Sequence, residues 1–62
     1  MQRYTVVSGK LEWWEDKLER NIKYIESFPT FEQAFTEWKR NRGYPVNEIE
    51  CVDDEGVIHI FS

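Results

Sequence analysis

A chain of 62 residues, 40% hydrophobic and 32% charged with a net charge of −4, can form one small globular domain (residues 1–62) but not two cores. Its single Cys51 and single His59 exclude an internal disulfide and leave too few soft ligands for a structural zinc site. No apolar run approaches the roughly 20 residues of a membrane span, and no glycine-rich phosphate-binding loop is present. We therefore expect a cytoplasmic protein in a reducing environment, with no metal or cofactor.

The N-terminal segment Arg3–Ser8 is predicted to form a strand, because it is rich in residue types that strands favour. Residues 10–28 fit two structures. Five apolar residues within them recur at the three- or four-residue spacing of a helix. They are Leu11, Trp14, Leu18, Ile22 and Ile25.

The alternative for residues 10–28 is the remainder of an N-terminal hairpin. Ile22, Tyr24 and Phe28 alternate as in a strand, and Glu15-Asp16-Lys17 would be the turn. We favour the hairpin, because one helix can cover two hairpins only if they join into a single sheet.

A helix is predicted over Phe31–Arg42. Thr30 is a typical N-cap residue, and Gln33 three positions later completes a capping box. Gly43 is expected to end the helix in a left-handed conformation, since Pro45 cannot continue it. The apolar stripe expected to contact the sheet consists of Phe31, Ala34, Phe35 and Trp38.

The segments Val46–Val52 and Val57–Phe61 predict a second hairpin, because Val and Ile dominate both and an Asp- and Gly-containing turn separates them. The predicted fold is therefore α+β in ββαββ order, an antiparallel sheet of three to four strands with one helix packed on one face.

Two registers fit the C-terminal hairpin. A two-residue loop would place Cys51 opposite Ile58, whereas a three-residue loop followed by a bulge would place Cys51 opposite His59. The same two alternatives place Ile49 opposite Ile60 or opposite Phe61. Both remain open from the sequence.

Charge is segregated along the chain. Residues 1–43 contain eight basic and seven acidic residues, whereas residues 44–62 contain five acidic residues and no Lys or Arg. This arrangement disfavours direct nucleic-acid binding, which needs a basic patch, and favours a protein partner with a basic surface. The candidate partner-binding carboxylates are Glu48, Glu50, Asp53, Asp54 and Glu55.

The adjacent Trp13 and Trp14 are the second candidate for partner binding. Neighbouring residues point in different directions, so one of the two is expected to be partly exposed, and exposed Trp is enriched in binding hot spots. No catalytic site is expected. Cys51 is expected to be a small buried hydrophobic residue. His59 is expected to be a half-packed strand residue, although Glu50 or Cys51 could lie across the hairpin from it.

The segment Thr30-Phe-Glu-Gln-Ala-Phe-Thr-Glu-Trp, followed by Gly43-Tyr-Pro-Val-Asn-Glu-Ile-Glu, resembles the small RNA-polymerase inhibitors encoded by T-odd coliphages. The resemblance covers residues 20–52 and implies a class: compact phage-type inhibitors of a host enzyme. The C-terminal hairpin and the Trp pair depart from the family, and none of its contact residues is carried over. The expected function is an acidic protein-binding module that occupies a nucleic-acid-binding surface of a host protein. The alternative is a small assembly module that self-associates, as a homodimer, through a sheet edge.

Overall fold

The computed structural model describes residues 3–61, except for the side chains of residues 59 and 60. The elements are β1 (Arg3–Trp14), β2 (Lys17–Phe28), α1 (Phe31–Arg40), β3 (Val46–Asp53) and β4 (Gly56–Phe61). The four strands form one antiparallel sheet in the order β2-β1-β3-β4. The predicted α+β class and ββαββ order are confirmed.

The N-terminal half is a long hairpin, so the helical interpretation of residues 10–28 is wrong. β1 does not stop at Ser8 but continues to Trp14, and Lys17, predicted as part of the turn, begins β2. The turn consists of Glu15 and Asp16, whose φ angles of 50° and 66° are both left-handed. Two successive left-handed residues match the right-handed twist of the strands, which is why such turns join hairpins.

Gly9 allows β1 and β2 to approach closely where their pairing shifts. Gly9 lies opposite Ile22, and Lys23 is bulged out of the ladder. A Cβ atom added to Gly9 would overlap the carbonyl oxygen of Asn21 and lie 2.8 Å from the Cα of Ile22. Because both obstacles are backbone atoms, no side-chain rotation could relieve the overlap. Glycine is therefore required by the close approach of the two strands and not by an unusual φ angle.

The start of α1 agrees with the sequence. The Thr30 hydroxyl accepts a hydrogen bond from the Gln33 backbone N–H at 3.3 Å and donates one to the Gln33 side-chain oxygen at 3.2 Å. The predicted capping pair is therefore formed, although the Gln33 side chain contacts the Thr30 hydroxyl rather than its backbone.

The predicted end of α1 is wrong. The helix stops at Arg40, two residues before the predicted Arg42, and Asn41 is its C-cap with φ −97° and ψ 18°. The Asn41 backbone N–H donates to the carbonyls of Glu37 and Trp38. Gly43 does not adopt positive φ, because the chain has already left the helix at Asn41.

The core is small and lies where α1 meets β1 and β3. Val6, Ala34 and Ile49 are completely buried, and six partly buried aromatic residues pack against them. These are Tyr4, Tyr24, Phe28, Phe35, Trp38 and Phe61. Of the predicted helix stripe, Ala34 alone is fully buried, while Phe31 is 39% exposed. Cys51 is buried as a small hydrophobic residue, as expected.

Asn47 on β3 joins β1, β3 and α1 through polar contacts. Its side-chain oxygen accepts a hydrogen bond from the fully buried Ser8 hydroxyl at 2.7 Å, and its side-chain N–H donates to the Trp38 carbonyl at 2.8 Å. The Trp38 indole N–H donates in turn to the Asn47 backbone oxygen at 2.9 Å. This reciprocal pair fixes the last turn of α1 against β3.

The C-terminal hairpin combines the two predicted registers. A two-residue loop, Asp54 and Glu55, places Cys51 opposite Ile58, but the pairing shifts between Ile49 and Glu50. Ile49 consequently lies opposite Phe61, as in the other alternative. The shift brings the Phe61 ring to 4.6 Å from the Trp38 ring, edge to face, so the aromatic packing accounts for the change of register.

The close approach at Gly9 yields a first prediction. Gly9→Ala should lower the free energy of unfolding by about 2 kcal/mol, the range for overpacking a fixed backbone. Gly43→Ala is the matched control, because no atom lies within 4 Å of its added Cβ, and it should change stability by less than about 1 kcal/mol. Urea denaturation of both variants measures the difference, and equal stability would contradict the assigned role of Gly9.

The contacts of Asn47 yield a second prediction. Asn47→Ala should cost about 2 kcal/mol, because it leaves the buried Ser8 hydroxyl without its acceptor. Adding Ser8→Ala to that variant should cost much less than Ser8→Ala costs in the wild-type chain. A double-mutant cycle followed by thermal unfolding measures the coupling. Strict additivity would show that the two side chains do not depend on each other.

Candidate protein-interaction surface

The N-terminal hairpin extends beyond the rest of the sheet. β1 pairs with β3 only as far as Gly9, opposite Val46, whereas its pairing with β2 continues to Trp14. We call the two-stranded extension, residues 10–21, the arm. All of its residues are exposed except Asn21, which is half-buried. The arm therefore lacks the buried side-chain packing that stabilises the remainder of the sheet.

The dimensions of the molecule reflect this extension. Its radius of gyration is 12.4 Å, whereas a compact chain of this length would have about 10.6 Å. Its accessible surface is 4677 Å², compared with about 4300 Å² for a compact monomer of this mass. The chain thus exposes more surface than its size requires.

The two faces of the arm differ in chemistry. Because side chains alternate along a strand, the pairing of β1 with β2 places one apolar group on a single face, continuing to the base of the arm. This group, the apolar stripe, consists of Leu11, Trp13, Leu18, Ile22 and Ile25. Their exposed fractions are 45%, 73%, 53%, 38% and 65%.

The opposite face of the arm is mostly polar. Its members are Lys10, Glu12, Trp14, Lys17, Glu19 and Asn21. The Asn21 amide donates a hydrogen bond to Glu12 at 2.9 Å, which ties the two strands together on this face. Trp14 is 65% exposed. Both members of the Trp pair are therefore exposed, where only one was expected to be, and they project from opposite faces.

One charged residue of the arm shares the face of the apolar stripe. Arg20 lies opposite Leu11, and its guanidinium contacts the Glu48 carboxylate at 3.0 Å. The pairing neutralises the only cation on this face of the arm. It also engages Glu48, one of the predicted partner-binding carboxylates, within the molecule.

The remaining acidic residues lie around the β3–β4 hairpin. Glu50 is half-buried on the same face as Glu48, and the Asp53 carboxylate accepts a hydrogen bond from the Glu55 backbone N–H at 2.8 Å. Asp54 and Glu55 are exposed at the turn. The acidic turn, Asp53–Glu55, is thus the most accessible part of the predicted acidic surface.

The structure separates the acidic turn from the Trp pair. Val52, beside the turn, lies opposite Arg3 at the start of β1, and Trp13 lies ten residues further along that strand. At roughly 3.3 Å per residue, the distance is about 33 Å. The acidic turn and the Trp pair therefore form two separate patches.

The sequence pattern of Leu11, Leu18, Ile22 and Ile25 predicts a helix or a strand but does not predict that these residues form a surface. One available signal was Gly9, since a glycine inside a strand often marks a bulge or a close backbone approach. The alternation of apolar and charged residues after it, as in Lys10-Leu11-Glu12-Trp13, is typical of a ribbon with two unlike faces.

An open cleft of about 520 Å³ lies beside the helix end, lined in part by Arg20, Trp38, Arg42 and Tyr44. Within the described residues, no three metal-ligating side chains come together. His59, considered as a catalytic residue, has its side chain outside the described part of the structure. In the same described portion, no helix is long and apolar enough to cross a membrane.

Tyr24 connects β2 to α1. Its hydroxyl lies 2.7 Å from a Glu26 carboxylate oxygen and 3.1 Å from a Glu37 carboxylate oxygen, and the other oxygen of Glu37 accepts from Arg40 at 2.9 Å. Burial, and then hydrogen bonds to Glu26 and Glu37, raise the pKa of the Tyr24 phenol well above its usual value. The phenol thus remains a hydrogen-bond donor at any physiological pH.

Comparison with known proteins yields no relative: no protein family matches the sequence, and no curated protein or solved structure is similar to it. The resemblance to phage inhibitors of RNA polymerase stays a prediction.

The raised pKa of Tyr24 predicts a stability loss in alkali. In the unfolded chain the phenol loses its proton near pH 10, whereas in the folded chain it keeps it. Its contribution is therefore complete below pH 10 and is lost as the pH rises towards the folded pKa. Between pH 9 and 11, wild type should lose up to about 1 kcal/mol more than Tyr24→Phe. Denaturation curves of both proteins across that range test this, and parallel losses would contradict it.

Proposed function

We propose that the protein is a small acidic protein-binding module rather than an enzyme, and that the arm is its main contact element. The observation that carries this proposal is the exposure of Trp13 (73%) and Trp14 (65%) on a projecting ribbon. Trp is the residue type most enriched in binding hot spots, because it buries a large rigid surface on contact. In a monomer, these two side chains do not contribute to the packing of the core.

We also infer that α1 covers one face of the sheet and leaves the other face open for contact. The burial of Ala34 with Val6 and Ile49, and the reciprocal hydrogen bonds between Trp38 and Asn47, support this arrangement. The open face would then carry the apolar stripe at one end and the carboxylates of β3 further along.

The acidic turn supports a partner with a basic surface. Asp54 and Glu55 are exposed there, and residues 44–62 contain no Lys or Arg. Carboxylates presented together raise the rate of association with a basic protein and can occupy a surface that otherwise holds nucleic acid phosphates. Such binding would make the protein an inhibitor of the phage type, acting in the cytoplasm of a host cell.

The edge of the sheet supports a second candidate function, assembly into larger structures. β4 is an outer strand, Val57 is 61% exposed and Ile58 is 57% exposed. Neither Lys nor Pro occurs in Gly56–Phe61, and these are the residues that usually prevent edge strands from pairing. The bulge opposite Ile49 and Glu50 offers some protection, since it twists the edge.

The proposal is tested by capture of partners from a bacterial lysate on the immobilised protein, at about 50 mM and 500 mM salt. At least one of the two variants Trp13→Ser and Trp14→Ser should reduce capture of the specific partner at least about tenfold, the loss expected for a hot-spot residue. Asp54→Lys with Glu55→Lys should weaken capture mainly at low salt, where charge steering operates.

Glu32→Lys, an exposed charge reversal on α1 and outside both patches, is the matched control and should leave capture unchanged. Circular dichroism confirms that each variant is folded. If both Trp variants captured the partner as well as wild type, the arm would not be the contact element. Loss of capture on Val57→Lys alone would instead favour assembly through the edge of β4.

A further inference from the structure

We propose that the apolar stripe of the arm is covered by the same stripe of a second copy of this chain, which gives a two-fold symmetric dimer. This inference rests on the proposed function, in which the arm is the contact element, and it names the partner of one of the arm's two faces. The polar face with Trp14 and the acidic turn lie outside the contact between the two copies and serve the binding of a different protein.

The exposed area of the stripe matches what a dimer requires. With about 200 Å² for a fully exposed Leu or Ile and about 250 Å² for Trp, the exposed fractions of the five side chains leave roughly 600 Å² of apolar surface. That is the upper end of what a soluble monomer exposes in one patch. Two copies would bury roughly 1200 Å² in total, the lower limit of specific and stable interfaces.

A surface packed against one face of the arm would stabilise it. An isolated two-stranded hairpin is at best marginally stable in water, because neither face is buried. The arm is such a ribbon beyond Gly9: residues 10–20 are exposed on both faces. Its turn adds a further cost, since Glu15 and Asp16 both hold left-handed φ angles without being glycine. Burial of one face would stabilise the ordered ribbon.

The charges on the stripe are compatible with self-association. Two identical surfaces repel each other if they carry net charge, but Arg20 is the one charged residue of the arm beside the stripe, and its guanidinium is bound to Glu48 at 3.0 Å. A heterologous partner recognised by charge would find no unpaired cation or carboxylate among the stripe residues. The other charged residues in the strands of the arm, Lys10, Glu12, Lys17 and Glu19, lie on its opposite face.

The two-fold arrangement also separates the acidic ends. If the two ribbons stack antiparallel, about 10 Å apart as stacked sheets do, each Trp13 lies near the base of the other arm. The two acidic turns then lie at opposite extremes of the dimer. Each turn is already about 33 Å from its own Trp13, so their separation far exceeds the Debye length of about 10 Å.

The test is the molar mass of the purified protein by sedimentation equilibrium, from about 1 to 200 μM, at 50 and 500 mM salt. We expect the mass to rise with concentration from 7.6 kDa towards twice that value, and to do so at least as strongly at high salt, because the contact is apolar. Trp13→Ser should raise the dissociation constant at least about tenfold.

Trp14→Ser is the matched control, because it removes the same side chain at nearly the same exposure from the opposite face. It should leave the dissociation constant within about threefold of wild type. Leu18→Lys, on the stripe, is a second variant in case Trp13→Ser does not fold, and it should also give a monomer.

A wild-type protein that stays at 7.6 kDa up to 200 μM overturns the inference and leaves the stripe to a different protein. Equal effects of Trp13→Ser and Trp14→Ser also overturn it. So does a dimer that only Val57→Lys disrupts, since that result assigns self-association to the edge of β4. The proposed function fails separately, if lysate capture does not depend on either Trp, whatever the mass of the purified chain.

Discussion

The fold depends on the contacts of one amide side chain. Asn47 bonds to Ser8 on β1 and to the Trp38 carbonyl on α1, while the Trp38 indole bonds back to the Asn47 main chain. Among the described residues, the core cluster has three fully buried side chains, so apolar packing alone specifies the helix position weakly. Directional hydrogen bonds in a partly buried site supply the missing specificity, because leaving any of these groups unpaired would be costly. The position of Trp38 then determines the packing of Phe61 and so the register of β4.

The same contacts divide the sheet into two parts of unequal stability. Hydrogen bonds join α1 to Tyr24 on β2 and to Asn47 on β3, and the hairpin beyond Gly9 lies outside the core cluster. Local openings in a protein follow such differences in packing, and sparsely packed elements open first. The bulge at Lys23 lies at this boundary. Because the arm is not needed to form the core, its surface can bind another protein or a second copy of the chain.

Local signals in the sequence were sufficient for the helix start and for the two hairpins, but not for features that tertiary contacts decide. Thr30 and Gln33 form their cap because both partners lie within one turn. The helix end was mispredicted because the Trp38 carbonyl is satisfied by Asn47, a residue on another element, so that Gly43 has no capping role. The apolar stripe resembled core because periodicity reveals which residues share a face, whereas it does not reveal what covers that face.

The position of the lone cysteine gives the molecule an internal reporter. Cys51 lies in β3, opposite Tyr4 of β1 and Ile58 of β4, and its side chain is 8% exposed. A thiol reagent can reach its sulfur only when β3 separates from β1 or from β4, while fraying of the arm leaves it shielded. The rate of thiol alkylation therefore reports opening of the core alone, whereas amide exchange along Leu11 and Leu18 reports the arm. The two chemistries together separate partial from complete unfolding within a single small domain.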